Sequence, residues 1–462
     1  MNRARQLAAG LLSLLLGACA LTPDYTPPEL GVPETFVQPA DGGASMANVD
    51  WFDLFDDPVL VEHIRTALAQ NQDRAVALAR IAEARQFVTV TRADQYPFLD
   101  ITAAASRNQT SQELVPGASA SDSYSVAAGF SLELDIWRRF ARATEASIAD
   151  LMATEAAYRS ITIRLVADVA ATYLQLRDLD ARLAIARHTV ESRTDSLAII
   201  QARFDKGVVA EIDTSQAEIQ LAIAEAAVAS FERAIAQTAN ALRVLRGGFP
   251  GPVERGDPLT AWNYGSAVPA GLPVELLQRR PDLVAAERTL AAETARIGVT
   301  EALRWPSLSL TAALGRASDE LSGLNNGTAR AWDVGTGLFA PIFNSGQLKA
   351  QAQAQRERTT QALLTYEGAV RQTLREVEDA LVEVRTRRDE LTARSRQVTA
   401  ARNALRLSRA RYDGGLVNYL EVLEADRSLF NAEIEQSAAR AAALVAMVRL
   451  YQALGGGWTP PA

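Results

Sequence analysis

Two hydrophobic periodicities divide the chain. In SYSVAAGFSLELDIW, Ser123 to Trp137, the residues Tyr124, Val126, Ala128, Phe130, Leu132 and Leu134 alternate with Ser123, Ser125, Ala127, Gly129, Ser131, Glu133 and Asp135. A period of two gives a strand one greasy face and one small polar face. Elsewhere apolar residues recur every seven positions: Val169, Leu176, Leu183, Val190, Leu197 and Phe204, then Val370, Val377, Val384, Leu391, Val398, Leu405 and Tyr412. A strict seven-residue repeat predicts long helices in a left-handed supercoil. No proline interrupts residues 138–204 or 346–412, so each helix runs on the order of 100 Å at 1.5 Å per residue.

The second stripe of each seam changes along its length. Val166 and Tyr173 give way to Asp180, Arg187, Thr194 and Gln201; Leu374 and Leu381 give way to Arg388, Ser395, Arg402 and Arg409. One side of each helix therefore turns toward water. Gly207 and Gly414-Gly415 stand where a helix end and a tight turn are expected, and returning helices follow over 211–246 and 418–454. Strand pairs are predicted over 97–107 with 123–135, and over 307–316 with 331–343. Turn signals separate them at Pro116-Gly117 and Asn325-Asn326-Gly327. Pro97, Pro306 and Pro341 stand at strand ends, where a missing ladder donor does least harm.

These elements come in two sets. ARFDKGVVAEIDTSQAEIQ from Ala202 matches ARYDGGLVNYLEVLEADRS from Ala410, and YPFLDITAAA from Tyr96 matches WPSLSLTAAL from Trp305. Both matches are displaced by nearly the same distance, about half the chain, which points to a tandem duplication. The expected organisation is a signal over 1–18, an extended wrap over 19–57 and a first repeat over 58–246. That repeat holds a helix, the strand pair within 97–135 and a long helical hairpin over 138–246. A linker covers 247–273. A second repeat over 274–454 holds a helix, the strand pair within 307–343 and a hairpin over 346–454, and a tail covers 455–462.

MNRARQLAAGLLSLLLGACA has the form of a secretory signal: two arginines, an apolar run from Leu7 to Leu16, then small residues. It ends in Leu16-Gly17-Ala18-Cys19, which resembles a bacterial lipobox. Cys19, the chain's only cysteine, is then the acylated first residue of the mature protein, carrying N-acyl and S-diacylglycerol lipid. No other segment reaches the ~18 apolar residues of a membrane helix. Strands that enter a bilayer must close into a barrel, because every backbone polar group in lipid needs a partner. The four predicted strands have the required length of about 9–11 residues. The alternation alone also fits a soluble sheet packed on helices.

The chain has a net charge of −8, with 48% hydrophobic and 22% charged residues, which gives no ground for a nucleic-acid partner. Two histidines and one cysteine make no zinc set, and no phosphate loop or catalytic triad is present. The expectation is a protein that is not an enzyme and has no cofactor beyond the lipid on Cys19.

The lipobox, PDYTPP at Pro23 to Pro28, the YP and WP strand starts, and the paired RFDKGVVAEID and RYDGGLVNYLEVLEAD turns resemble the TolC/OprM-like outer membrane factors. The resemblance spans essentially the whole mature chain. It implies a mainly α fold with a small transmembrane β-barrel: a homotrimer whose 12-stranded barrel is continued by an α-helical coiled-coil tunnel through the periplasm. The implied role is the outer-membrane exit duct of a tripartite, RND-type efflux system, passing small molecules such as drugs from an inner-membrane pump and a periplasmic adaptor. A lipid-anchored coiled-coil spacer or adaptor without a channel is the alternative. In the family, polar links between neighbouring helices close the tunnel at the hairpin tips. Carried over by motif, Asp213 is the acidic partner and Tyr412 the aromatic one. Val417 stands where some members have a basic residue, so that ion pair is missing here. Glu421 and Glu424, three apart on one helix face, match positions of acidic rings in the channel, where threefold repetition favours cations.

Overall fold

The structure is a computed structural model that describes residues 25–38, 48, 57–262, 270–271 and 273–456. Cys19, the signal, most of the N-terminal wrap and the end of the C-terminal tail lie outside the described residues. Among the described residues, twelve principal elements follow in order. The first repeat has helices α1 (Pro58–Gln70) and α2 (Gln72–Ala93), strands β1 (Phe98–Asn108) and β2 (Ser121–Leu134), and helices α3 (Arg139–Asp205) and α4 (Glu211–Leu245). The second has the short α5 (Leu276–Arg279), then α6 (Pro281–Ala302), β3 (Ser307–Ser318), β4 (Arg330–Phe339), α7 (Gln347–Asp413) and α8 (Tyr419–Ala453).

The duplication is visible in the lengths. Helices α2 and α6 have 22 residues each, α3 and α7 have 67 each, and α4 and α8 have 35 each. Even the backbone exceptions recur at equivalent points. Arg138 (φ 60°) and Ser345 (φ 50°) adopt positive φ just before the two long helices, and Gly207 and Gly415 do so just after them.

Two compact units form. One comprises Arg80–Glu155 and Ala285–Glu367 with the described residues up to Glu29; the other comprises Leu30–Ala79, Ala156–Val284 and the residues from Gly368 onward. The first unit holds the sheet, antiparallel throughout, in the order β1-β2-β3-β4. The register sets Ile101 opposite Ala128, Ala128 opposite Leu314, and Leu314 opposite Trp332. All the apolar sets read from the alternation therefore share one face. Among the described residues nothing covers its outer positions: Ile101 is 79% exposed, Trp332 75% and Val334 73%. The opposite face is kept small. A Cβ on Gly129 would lie 2.6 Å from Asp100 Oδ1, on the neighbouring strand. The β2–α3 junction is capped by Asp135, whose carboxylate accepts from the Phe140 and Ala141 amides at 3.1 and 2.8 Å. The predicted strand 331–343 is shorter than expected and ends at Phe339, before Pro341, which lacks a donor and restricts the residue before it.

The second unit holds the larger core. Val166, Val169, Tyr173 and Leu176 of α3 pack in one cluster with Val377, Leu381 and Val384 of α7, Leu444 and Val448 of α8, and Leu60 and Ile64 of α1. Val253 and Leu259, from the segment after α4, are buried in it, and Phe36 of the N-terminal segment packs against it. Val37 and Gln38 donate their amides to the two oxygens of Glu378 at 2.6 and 3.0 Å. Asp57 caps α1 through the Val59 and Leu60 amides and accepts from the Tyr173 hydroxyl at 2.8 Å. Farther along α3 and α7 the second stripe opens to water. Arg187, Thr194 and Gln201 are exposed, as are Arg402 and Arg409, while Val398 and Leu405 stay buried. Among the described residues no helix is long and apolar enough to cross a membrane.

Candidate functional site

The two hairpin turns sit at the ends of α3 and α7. At each turn a glycine in left-handed conformation, Gly207 (φ +73°) and Gly415 (φ +70°), ends the helix. Gly207 N–H donates to Phe204 O and Val208 N–H to Arg203 O; Gly415 N–H donates to Tyr412 O and Leu416 N–H to Arg411 O. These paired bonds satisfy the last carbonyls of each long helix. They also fix where the flanking side chains emerge.

A small second core lies next to the turns. Ile200 of α3, Ala217 of α4, Leu405 of α7 and Tyr419, Val422 and Leu423 of α8 are buried together, with Leu197, Val209 and Tyr412 against them. The Tyr412 and Tyr419 rings lie 5.4 Å apart at 48°. The Arg203 guanidinium lies 5.0 Å from the centroid of the Tyr412 ring, a cation–π arrangement. The Tyr412 hydroxyl is buried with no hydrogen-bond partner among the described residues. Asp213, half-buried in the first turn of α4, acts on Tyr419. Burial first, then the charges of Asp426 and other neighbours including Asp213, push the Tyr419 hydroxyl up to about 12. So the chain brings Asp213 and Tyr412 to the same tyrosine, but the bond between them expected from the resemblance is not made within one chain.

The two acidic candidates are ion-paired. Glu421 Oε1 accepts from Arg411 Nη1 at 2.8 Å, and Glu424 Oε2 accepts from Arg427 Nη2 at 2.7 Å. Both pairs are solvated, and such pairs contribute little to stability, roughly 0–1 kcal/mol. Deeper in, Arg193 of α3 is buried against Asp426 of α8 at 2.9 Å. Arg409 of α7 reaches the other oxygen of the same carboxylate at 3.6 Å. Beside them a groove of about 760 Å³ runs along α3, α7 and α8, walled by Arg402, Arg406 and Arg409 on one side.

Sequence reasoning named Asp213, Tyr412, Glu421 and Glu424; the structure sets Arg193, Arg203, Tyr419 and Asp426, which it did not name, in the same region. The heptads mark Tyr412 as a seam residue; they say nothing of an arginine buried off the seam. Among the described residues no group of acidic, histidine or cysteine side chains is placed to hold a metal ion.

The chain matches the outer membrane efflux protein family in two segments, residues 63–248 and 272–456, one per repeat. It is 35% identical over 456 residues to the solvent efflux pump outer membrane protein SrpC of Pseudomonas putida, covering 96% of this chain and 97% of that protein. It is 34% identical over 462 residues to the outer membrane protein OprJ of Pseudomonas aeruginosa, covering 98% and 96%. Among solved structures, the open state of the MtrE outer membrane channel of Neisseria gonorrhoeae superimposes with a TM-score of 0.86 at 30% identity. That match covers 95% of this chain and 98% of that one.

Proposed function

The chain belongs to the outer membrane efflux protein family, and from that premise we propose that it works as a homotrimer whose four-stranded sheets join into one 12-stranded barrel. It is an outer-membrane exit duct of an efflux system, not an enzyme. The observation that supports the barrel is the sheet's apolar face, continuous across four strands and left uncovered by the described residues. A soluble sheet packed on helices would bury that face. In lipid it needs no protein cover, and the small polar face then lines water.

Strand number supports three copies. Among the described residues β1 and β4 each pair on one side only, and free edges do not persist in a bilayer. Two chains give eight strands, an interior just wide enough for side chains to fill. Three give twelve and leave a lumen, which Ser125, Gly129, Ser131, Ser309 and Gly335 keep open. The helical hairpins of three chains form the tunnel wall, and the partly polar stripes of α3 and α7 face its water. Asp213, Tyr412, Glu421 and Glu424 form the gate at the hairpin tips. A periplasmic adaptor and an RND-type inner-membrane pump deliver the cargo, small molecules such as drugs, and the lipid on Cys19 adds a second hold on the outer membrane. The mass of the detergent-solubilised complex tests the assembly. Three copies are expected; a monomer or dimer that still conducts overturns it.

A further inference from the structure

The two repeats match in length and turn geometry, yet near the tip they differ at a buried charge. Arg193, on α3, is 4% exposed. Aligned on the two turn motifs, its counterpart on α7 is Ala401, and the counterpart of Asp426 is Glu218. The Arg193–Asp426 pair therefore exists on one side of the duplicated tip only. Its guanidinium is held from three directions. Nε donates to Asp426 Oδ2 at 2.9 Å, and Nη1 donates to the Gln220 carbonyl of α4 at 2.6 Å. The guanidinium carbon lies 5.2 Å from the centroid of the Phe430 ring of α8. Arg409 of α7 adds a second cation to Asp426 at 3.6 Å and donates to Ser192 Oγ of α3 at 3.4 Å.

We propose that the Arg193–Asp426 pair is a latch that fixes the tip of the α7–α8 hairpin against the α3–α4 hairpin and so positions the gate residues Tyr412 and Glu421. The link to gating rests on the reading of the tip as the gate of the duct. Four helices meet at one carboxylate and one guanidinium, so the tip cannot shift without moving a charge out of its pairing. A buried pair resists this strongly, because removing one partner strands the other charge away from water. The exposed pairs nearby have no such hold: Arg402–Glu433 and Arg427–Glu424 leave their arginine side chains 67% and 56% exposed.

The test uses the full-length protein in detergent, with hydrogen exchange read over residues 419–430. Arg193→Met and Asp426→Asn are each expected to speed exchange there at least about tenfold, while residues 440–453 keep their rates. Arg193→Lys, which retains the charge, is expected to restore slow exchange. Arg402→Met, which breaks an exposed pair to Glu433 between α7 and α8, is expected to leave it unchanged. Unchanged exchange in Arg193→Met and Asp426→Asn overturns the latch, as does an equal rise with Arg402→Met. Single-channel recording of the same variants separates the two ideas. Faster exchange with raised open probability supports both; faster exchange with unaltered channel currents keeps the latch and overturns the reading of the tip as the gate.

Discussion

Arg411 of α7 donates to Glu421 of α8 at 2.8 Å, across the turn that joins the two helices. The pair partly neutralises a carboxylate beside the proposed gate, and Arg427 does the same for Glu424. Both glutamates keep solvent access, so at the proposed gate their charges would still act on passing ions. Changing Glu421 and Glu424 to Gln is expected to weaken cation preference, with reversal potentials in a salt gradient moving toward zero. Changing Arg411 to Gln frees one carboxylate and is expected to move them the other way.

Asp213→Ala combined with Tyr412→Phe is expected to raise the open probability. Among the described residues the Tyr412 hydroxyl is buried without a hydrogen-bond partner, so in the proposed trimer a neighbouring copy would supply its bond at the closed gate. Losing such a bond costs about 0.5–1.5 kcal/mol, a several-fold shift in an opening equilibrium. Channel recordings that match the parent protein would mean that both residues are misassigned.

The long helices were legible because their repeat is uninterrupted, and the turns because Gly207 and Gly415 are obligatory there. The alternation was legible too, and the register later placed every apolar set on one face. Strand ends were less so: nothing but Pro341 hinted that β4 stops at Phe339. Arg138 and Ser345 carry positive φ with no glycine to announce it. The buried contacts were invisible. Tyr173 meets Asp57 from 116 residues away and Arg193 meets Asp426 from 233 away. A charged residue in a heptad reads as solvated until its partner is placed.

The Asp57–Tyr173 contact gives a stability prediction. Tyr173 donates to buried Asp57 and accepts from the Gly256 amide, both at 2.8 Å. Tyr173→Phe strands both groups and is expected to cost about 1–3 kcal/mol, seen as a lower thermal midpoint. His63 packs edge-on against the same ring at 5.3 Å, and burial lowers its pKa below the usual 6.5. A lowered folded-state value means that the unfolded chain binds the proton more readily. Its contribution is therefore fully present above about pH 6.5 and is lost as pH falls through the folded-state value. His63→Gln is expected to flatten that acid-side decline; an unaltered pH profile would remove His63 as its source.

Cys19→Ser is expected to abolish acylation and alter processing while leaving the strands able to insert, since the proposed barrel would be a membrane element of its own. Metabolic labelling with palmitate checks this. Label retained in the Ser variant would show that the lipid is carried elsewhere.

The duct itself is tested most directly by single-channel recording of the purified full-length protein in a planar bilayer. Discrete, cation-preferring conductance steps are expected, enlarged in the Asp213→Ala/Tyr412→Phe variant. A membrane-inserted trimer that passes no ions in either form would contradict a continuous channel and leave a lipid-anchored spacer in its place.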